Sequence, residues 1–138
     1  MKIAIKSDVG QRRTLNEDAA GYFLNTQNVP MIVVCDGIGG HNAGDVASAM
    51  ALSHLGKRWE EESITDTEAA YQWLVKNIQA ENDRIFQKAN QYRELDGMGT
   101  TLVVAVIIGS ELLIANVGDS RAYLYRNFQI KQLTEDHT

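Results

Sequence analysis

The chain has 138 residues, and 13 Lys and Arg against 18 Asp and Glu set its formal net charge at −5. With 44% hydrophobic and 22% charged residues it is no disordered tail, and it is long enough for one buried core. The negative balance argues against nucleic-acid binding, and the longest apolar run, residues 101–109, falls far short of the ~20 residues needed to span a membrane.

Residues 2–6 (KIAIK) alternate polar and apolar and predict a half-buried strand. Residues 20–24 (AGYFL) predict a second strand, with a turn over 25–30. Residues 31–35 (MIVVC) are apolar throughout, which predicts a strand buried on both faces that runs straight into Asp36 and a glycine-rich turn. Asn42 and Asp45 have capping-box spacing, and the helix they open would bury Val46, Ala49, Met50, Leu52 and Leu55.

A second helix is expected over 67–92, where Tyr71, Leu74, Ile78, Ile85, Ala89 and Tyr92 form one stripe. Glu81 falls inside that stripe, where a wholly apolar partner surface would not welcome it. Strands then return at 101–108, 112–117, 121–125 and 128–133, joined by turns short enough to favour antiparallel pairing. The order implies an α+β fold with two helices packed on a largely antiparallel sheet. Two helices leave an apolar layer of such a sheet seeking a partner, so the chain is expected to be one portion of a larger domain that continues past Thr138.

Three polar clusters interrupt the apolar elements. In Val34-Cys35-Asp36-Gly37-Ile38-Gly39-Gly40-His41, a buried strand delivers a carboxylate followed by a glycine. The Asp36 carboxylate and the Gly37 carbonyl are adjacent hard oxygen donors suited to Mg²⁺ or Mn²⁺. Taken alone, a D-G pair is better read as an ordinary turn.

Nucleotide motifs fail here. A dinucleotide fingerprint from Gly37 meets Asn42 where glycine is required, and a P-loop from Gly39 meets Asp45 where lysine is required. In the second cluster, Arg12 and Arg13 can clamp a phosphoryl group while Glu17 and Asp18 add acceptors; taken alone it is a solvated loop. The third, Gly118-Asp119-Ser120-Arg121, displays a carboxylate at a strand end and is otherwise a hairpin turn. Cys35 reads as a small core residue, and its solitude excludes an internal disulfide and suits a reducing cytoplasm. His54 reads as structural, and the N-terminal MKIAIKSDVG lacks a secretory pattern.

The ordered stretches SDVGQRRTLNEDA, VVCDGIGGHNAGDVAS, GMGTTLVVAV, IANVGDSRAYLYR and QLTEDHT together resemble the PP2C (PPM) family of metal-dependent protein serine/threonine phosphatases, above all its small bacterial members. The resemblance implies a PP2C-like sandwich of antiparallel β-sheets flanked by helices, incomplete at the C-terminus, with residues 1–138 the N-terminal portion of a single domain. It implies two Mn²⁺ or Mg²⁺ ions, with a third in some bacterial relatives. Asp36 then matches the bridging metal ligand, Gly37 the carbonyl ligand, and Glu17 and Asp18 the acidic pair that ligates or organises metal and water. Asp119 matches a ligand of the third metal, and Arg13 the phosphate-gripping arginine. Gly99, Thr100 and Thr101 match a framework motif.

The implied reaction is hydrolysis of phosphoserine and phosphothreonine by a metal-activated water, with Asp36 and Asp18 in the catalytic centre. Implied partners are phosphoproteins, including a cognate Hanks-type kinase, in the cytoplasm and with no nucleic acid or membrane. Ile38 stands where many eukaryotic members carry a histidine, so the resemblance implies a metal-bound water as proton donor, with His41 a poor second choice. The alternative function is a catalytically inactive PP2C-like binding or regulatory module.

Overall fold

The computed structural model describes residue 3 and residues 18–38, 43–118, 123–126 and 129–135. Its centre is a five-stranded antiparallel sheet. Strand β1 (Asp18–Leu24) pairs with β2 (Pro30–Ile38), which pairs with β4 (Leu102–Ile108), which pairs with β5 (Glu111–Val117). The two-residue strand β3 (Gly99–Thr100) pairs with the end of β2. Helices α1 (Ala43–Glu61) and α2 (Thr67–Gln91) are inserted between β2 and β3, and a hairpin of β6 (Tyr123–Arg126) and β7 (Gln129–Gln132) forms a separate two-stranded sheet.

The α+β order and antiparallel pairing agree with expectation, but three local readings need correction. Strand β2 does not stop at Cys35: Asp36 and Gly37 belong to it, because β1 supplies a partner for Asp36 and β3 supplies one for Gly37. Nor is β2 covered on both faces. Met31, Val33 and Cys35 are fully buried under the helices, whereas Val34 is 43% exposed and Ile38 56% exposed on the other side. Alternation of side chains along the strand accounts for this, since a two-faced apolar run still needs a layer on each face.

The third correction concerns the helix faces. Helix α1 buries Ala43, Ala47, Ala51, Leu55 and Trp59, while Ala49 is exposed and Val46, Met50 and Leu52 are only half-buried. Small residues win this face because α1 lies close on the sheet. A Cβ at Gly37 would overlap the carbonyl of Gly44, and one at Gly56 would overlap the ring of Phe23. Helix α2 keeps Leu74, Ile85 and Ala89 inside as expected, but it turns Tyr71 and Tyr92 outward and buries Ala70 and Trp73 instead.

Asp66 caps α2 by accepting a 2.8 Å hydrogen bond from the Ala69 amide. Trp59 and Trp73 meet edge to face with ring centroids 5.0 Å apart, and the Trp59 indole donates to the Val29 carbonyl at 2.9 Å. These contacts tie both helices to the start of β2 and leave its far end, with Asp36, at the rim of the sheet. Of the expected strand over 2–6 only residue 3 is described, and it belongs to no strand; residues 2 and 4–6, His41 and Asn42 lie outside the described residues.

Candidate metal and phosphate site

Asp36 sits near the end of β2, flanked by Cys35 and Gly37, whose side-chain positions face α1. Alternation therefore directs Asp36 to the face away from the helices. The register pairs it directly with Asp18, the first residue of β1. Direct antiparallel partners project from one face with Cβ atoms roughly 4.5–5.5 Å apart. Two carboxylates are thus neighbours, Asp36 half-buried and Asp18 exposed.

Like charges placed this way repel, and a hard divalent cation is the species whose chemistry suits such a donor pair. Among the described residues no group of three or more His, Cys, Asp or Glu side chains is placed to hold a metal. The pair nevertheless fits as part of a metal centre, since a divalent ion bound mainly by water needs only one or two protein carboxylates. Arg13, Glu17 and Asp119 lie outside the described residues.

Gly37 is indispensable on steric grounds, because the approach of Gly44 leaves no room for a side chain. Strands β3 and β4 flank the opposite edge of β2 in one continuous register, with Gly37 opposite Thr100 and Val34 opposite Val103. Thr101 therefore stands across from Asp36, and its amide donates to the Asp36 carbonyl at 2.9 Å. The Asp36 amide in turn donates to the Thr101 hydroxyl at 3.1 Å. Sequence reading placed Thr101 in a framework motif without this bond; a hydroxyl residue at the start of an apolar strand was the available clue.

Cys35 is fully buried, and burial pushes its thiol up to about 12 against the opposing effect of a hydrogen bond with Thr100. A thiol held that firmly protonated is no nucleophile, in agreement with its reading as a core residue. Glu81, the misfit of the α2 stripe, is 3% exposed. Its carboxylate accepts hydrogen bonds from His54 Nδ1 and from the Arg84 guanidinium, each at 2.8 Å. His54 is thus structural, as expected. The role of Arg84 escaped the sequence reading, although its i, i+3 spacing from Glu81 was visible.

A cavity of about 440 Å³ opens beside Glu81, between α2 and the β2–β3 end, lined by Ile38, Ile78, Ile85, Phe86 and Thr100 among others. No helix among the described residues is long and apolar enough to cross a membrane.

The family model for protein phosphatase 2C matches residues 11–138. The chain is 47% identical over 139 residues to the serine/threonine phosphatase stp of Listeria welshimeri, a match covering all of this chain and 55% of that protein. Among solved structures, Stp1 of Staphylococcus aureus superposes with a TM-score of 0.91 at 45% identity, covering 96% of this chain and 52% of that one. The catalytic domain of the phosphatase PstP, in complex with two manganese ions, superposes with a TM-score of 0.78 at 34% identity, covering 95% of this chain and 54% of that one. The chain therefore spans about half the length of the relatives it matches.

Proposed function

The chain belongs to the protein phosphatase 2C family, and from that premise we propose that it is the N-terminal portion of a single phosphoserine/phosphothreonine protein phosphatase domain. The family is metal-dependent. The observation that carries the reading is the cross-strand pair of Asp18 and Asp36 beside the side-chain-free Gly37 at one rim of the sheet. In this reading the Asp36 carboxylate, the Gly37 carbonyl, Glu17 and Asp18 would hold Mn²⁺ or Mg²⁺ and organise its water. Asp119 serves a third ion. When bound, such ions lower the pKa of a shared water and turn it into a nucleophile for in-line attack at phosphorus.

The protein's own part is positioning and charge. Strand pairing on both sides of Asp36 fixes the backbone that carries the carboxylate. Arg13 grips the phosphoryl oxygens through charge-assisted hydrogen bonds and fixes the phosphorus in line with its attacker. The protonated, buried Cys35 supports direct displacement in preference to a cysteinyl-phosphate route. Phosphoproteins, a Hanks-type kinase among them, are the proposed substrates. The lone reduced thiol supports a cytoplasmic setting.

The test is p-nitrophenyl phosphate hydrolysis with and without Mn²⁺, by the chain alone and by the chain joined to the part of the Listeria phosphatase that the match leaves uncovered. Metal-dependent turnover by the joined protein, reduced roughly 100-fold or more by Asp36→Asn, is expected. A folded joined protein without turnover, beside an active Listeria phosphatase, overturns the reading. Unchanged activity in Asp36→Asn removes Asp36 from the centre.

A further inference from the structure

At Asp36 the ladder between β2 and the β3–β4 edge departs from the usual pattern. Directly opposed antiparallel residues that exchange hydrogen bonds do so through two amides and two carbonyls. Here one half is regular, because the Thr101 amide donates to the Asp36 carbonyl at 2.9 Å. The other half is not. The Asp36 amide donates to the Thr101 hydroxyl at 3.1 Å, and the Thr101 carbonyl accepts instead from the Thr100 hydroxyl at 2.8 Å.

Two consecutive threonines thus re-route the ladder, so that a side chain takes the place of a carbonyl at the residue carrying the candidate metal ligand. Thr101 is 5% exposed, so water does not compete freely for its hydroxyl.

Its other side meets Gly118. A Cβ on Gly118 would come within 2.7 Å of the Thr101 methyl carbon, and Gly118 has φ of +96°, a conformation that favours glycine. Strand β5 ends at Val117, opposite Leu102, so Thr101 abuts the residue immediately before Asp119. One small side chain therefore touches the strand end that presents Asp36 and the strand end that leads to Asp119.

We propose that Thr101 is a positioning residue of the metal centre: its hydroxyl sets the backbone of Asp36, and its methyl sets the spacing to Gly118. The inference rests on the phosphatase reading for the metal, but not for the hydrogen bond. Partners that orient metal ligands contribute about 10–100-fold in metal affinity.

The experiment compares Thr101→Val, which keeps the shape and loses the hydroxyl, with Thr101→Ser, which keeps the hydroxyl. Mn²⁺ affinity is read by titration calorimetry on the joined protein, and exchange of the Asp36 amide by NMR. Thr101→Val is expected to weaken Mn²⁺ binding about tenfold and to speed exchange of the Asp36 amide, while Thr101→Ser restores slow exchange and most of the affinity. Wild-type affinity and exchange in Thr101→Val would overturn the proposal, as would a Thr101→Ser variant no better than Thr101→Val. If the wild-type protein joined to the uncovered part of the Listeria phosphatase takes up no Mn²⁺, the metal reading fails, and the exchange comparison still decides whether the hydroxyl holds Asp36.

Discussion

Glu81 lies between the two helices, with a carboxylate oxygen 2.8 Å from His54 Nδ1 and the other 2.8 Å from the Arg84 guanidinium, whereas Asp36 stands at the sheet rim directly across from a second carboxylate. Asp36 ends an apolar run and Glu81 interrupts an apolar helical stripe, and both are acidic. Burial with nitrogen donors makes the first a structural joint between α1 and α2. A like charge directly across the strand pair makes the second the candidate for a cation from outside. An acidic residue is informative through the sign of what surrounds it, more than through its own burial.

The largest stability effect that follows belongs to Glu81. Glu81→Ala removes the acceptor shared by His54 and Arg84 and leaves space in the helix interface. Both side chains remain more than a third exposed, so they recover water, and the loss is set by missing hydrogen bonds and packing. Urea unfolding is expected to show a decrease of about 1–3 kcal/mol. A change within experimental error would mean that α1 and α2 are held by their apolar contacts alone.

The same contrast explains what was legible in the sequence. The Asp36–Gly37 pair was visible because its donors are adjacent along the chain. The placement of Asp18 opposite Asp36 needed the register of β1 on β2, and register follows from which face is buried, a tertiary property. The re-routing by Thr100 and Thr101 was hidden for the same reason. The face of α1 was legible in part: Leu55 is buried and Val46, Met50 and Leu52 pack half-buried against the core, but Ala49 is exposed and the small residues nearest the sheet were missed. Close helix–sheet approach at Gly44 and Gly56 selected Ala43, Ala47 and Ala51 there. Glu81 was flagged as a misfit, and its partner on α1, His54, is 27 residues away, beyond any local pattern. Arg13, Glu17 and Asp119 remain assigned through the family resemblance.

A subtler effect separates the charge of Glu81 from its shape. Burial raises its pKa above the ordinary 4.5, outweighing the hydrogen bond and charge of His54 and the charge of Arg58. A folded-state pKa above the unfolded value gives stability that is full below 4.5 and is lost as pH rises through the folded value. Glu81→Gln keeps the shape but cannot titrate. Urea unfolding at a series of pH values is therefore expected to show the wild type losing stability relative to Glu81→Gln as pH rises from 4.5. The opposite slope would mean that His54, Arg84 and Arg58 together overcome desolvation and hold the carboxylate ionised.

The smallest expected change is at Asp18, and its dependence on metal is the informative part. Opposed like charges on neighbouring strands destabilise by about 0.2–1 kcal/mol. Asp18→Asn is expected to change metal-free stability by no more than an amount in this range. With Mn²⁺ present, a ligand that binds the folded state stabilises in proportion to the logarithm of its concentration over its dissociation constant. A weaker site gains less, so in saturating Mn²⁺ the variant should melt below the wild type. Thermal melts with and without the ion read both arms. A drop that appears only with the ion marks Asp18 as part of a cation site, because an ordinary surface carboxylate would shift both melts alike.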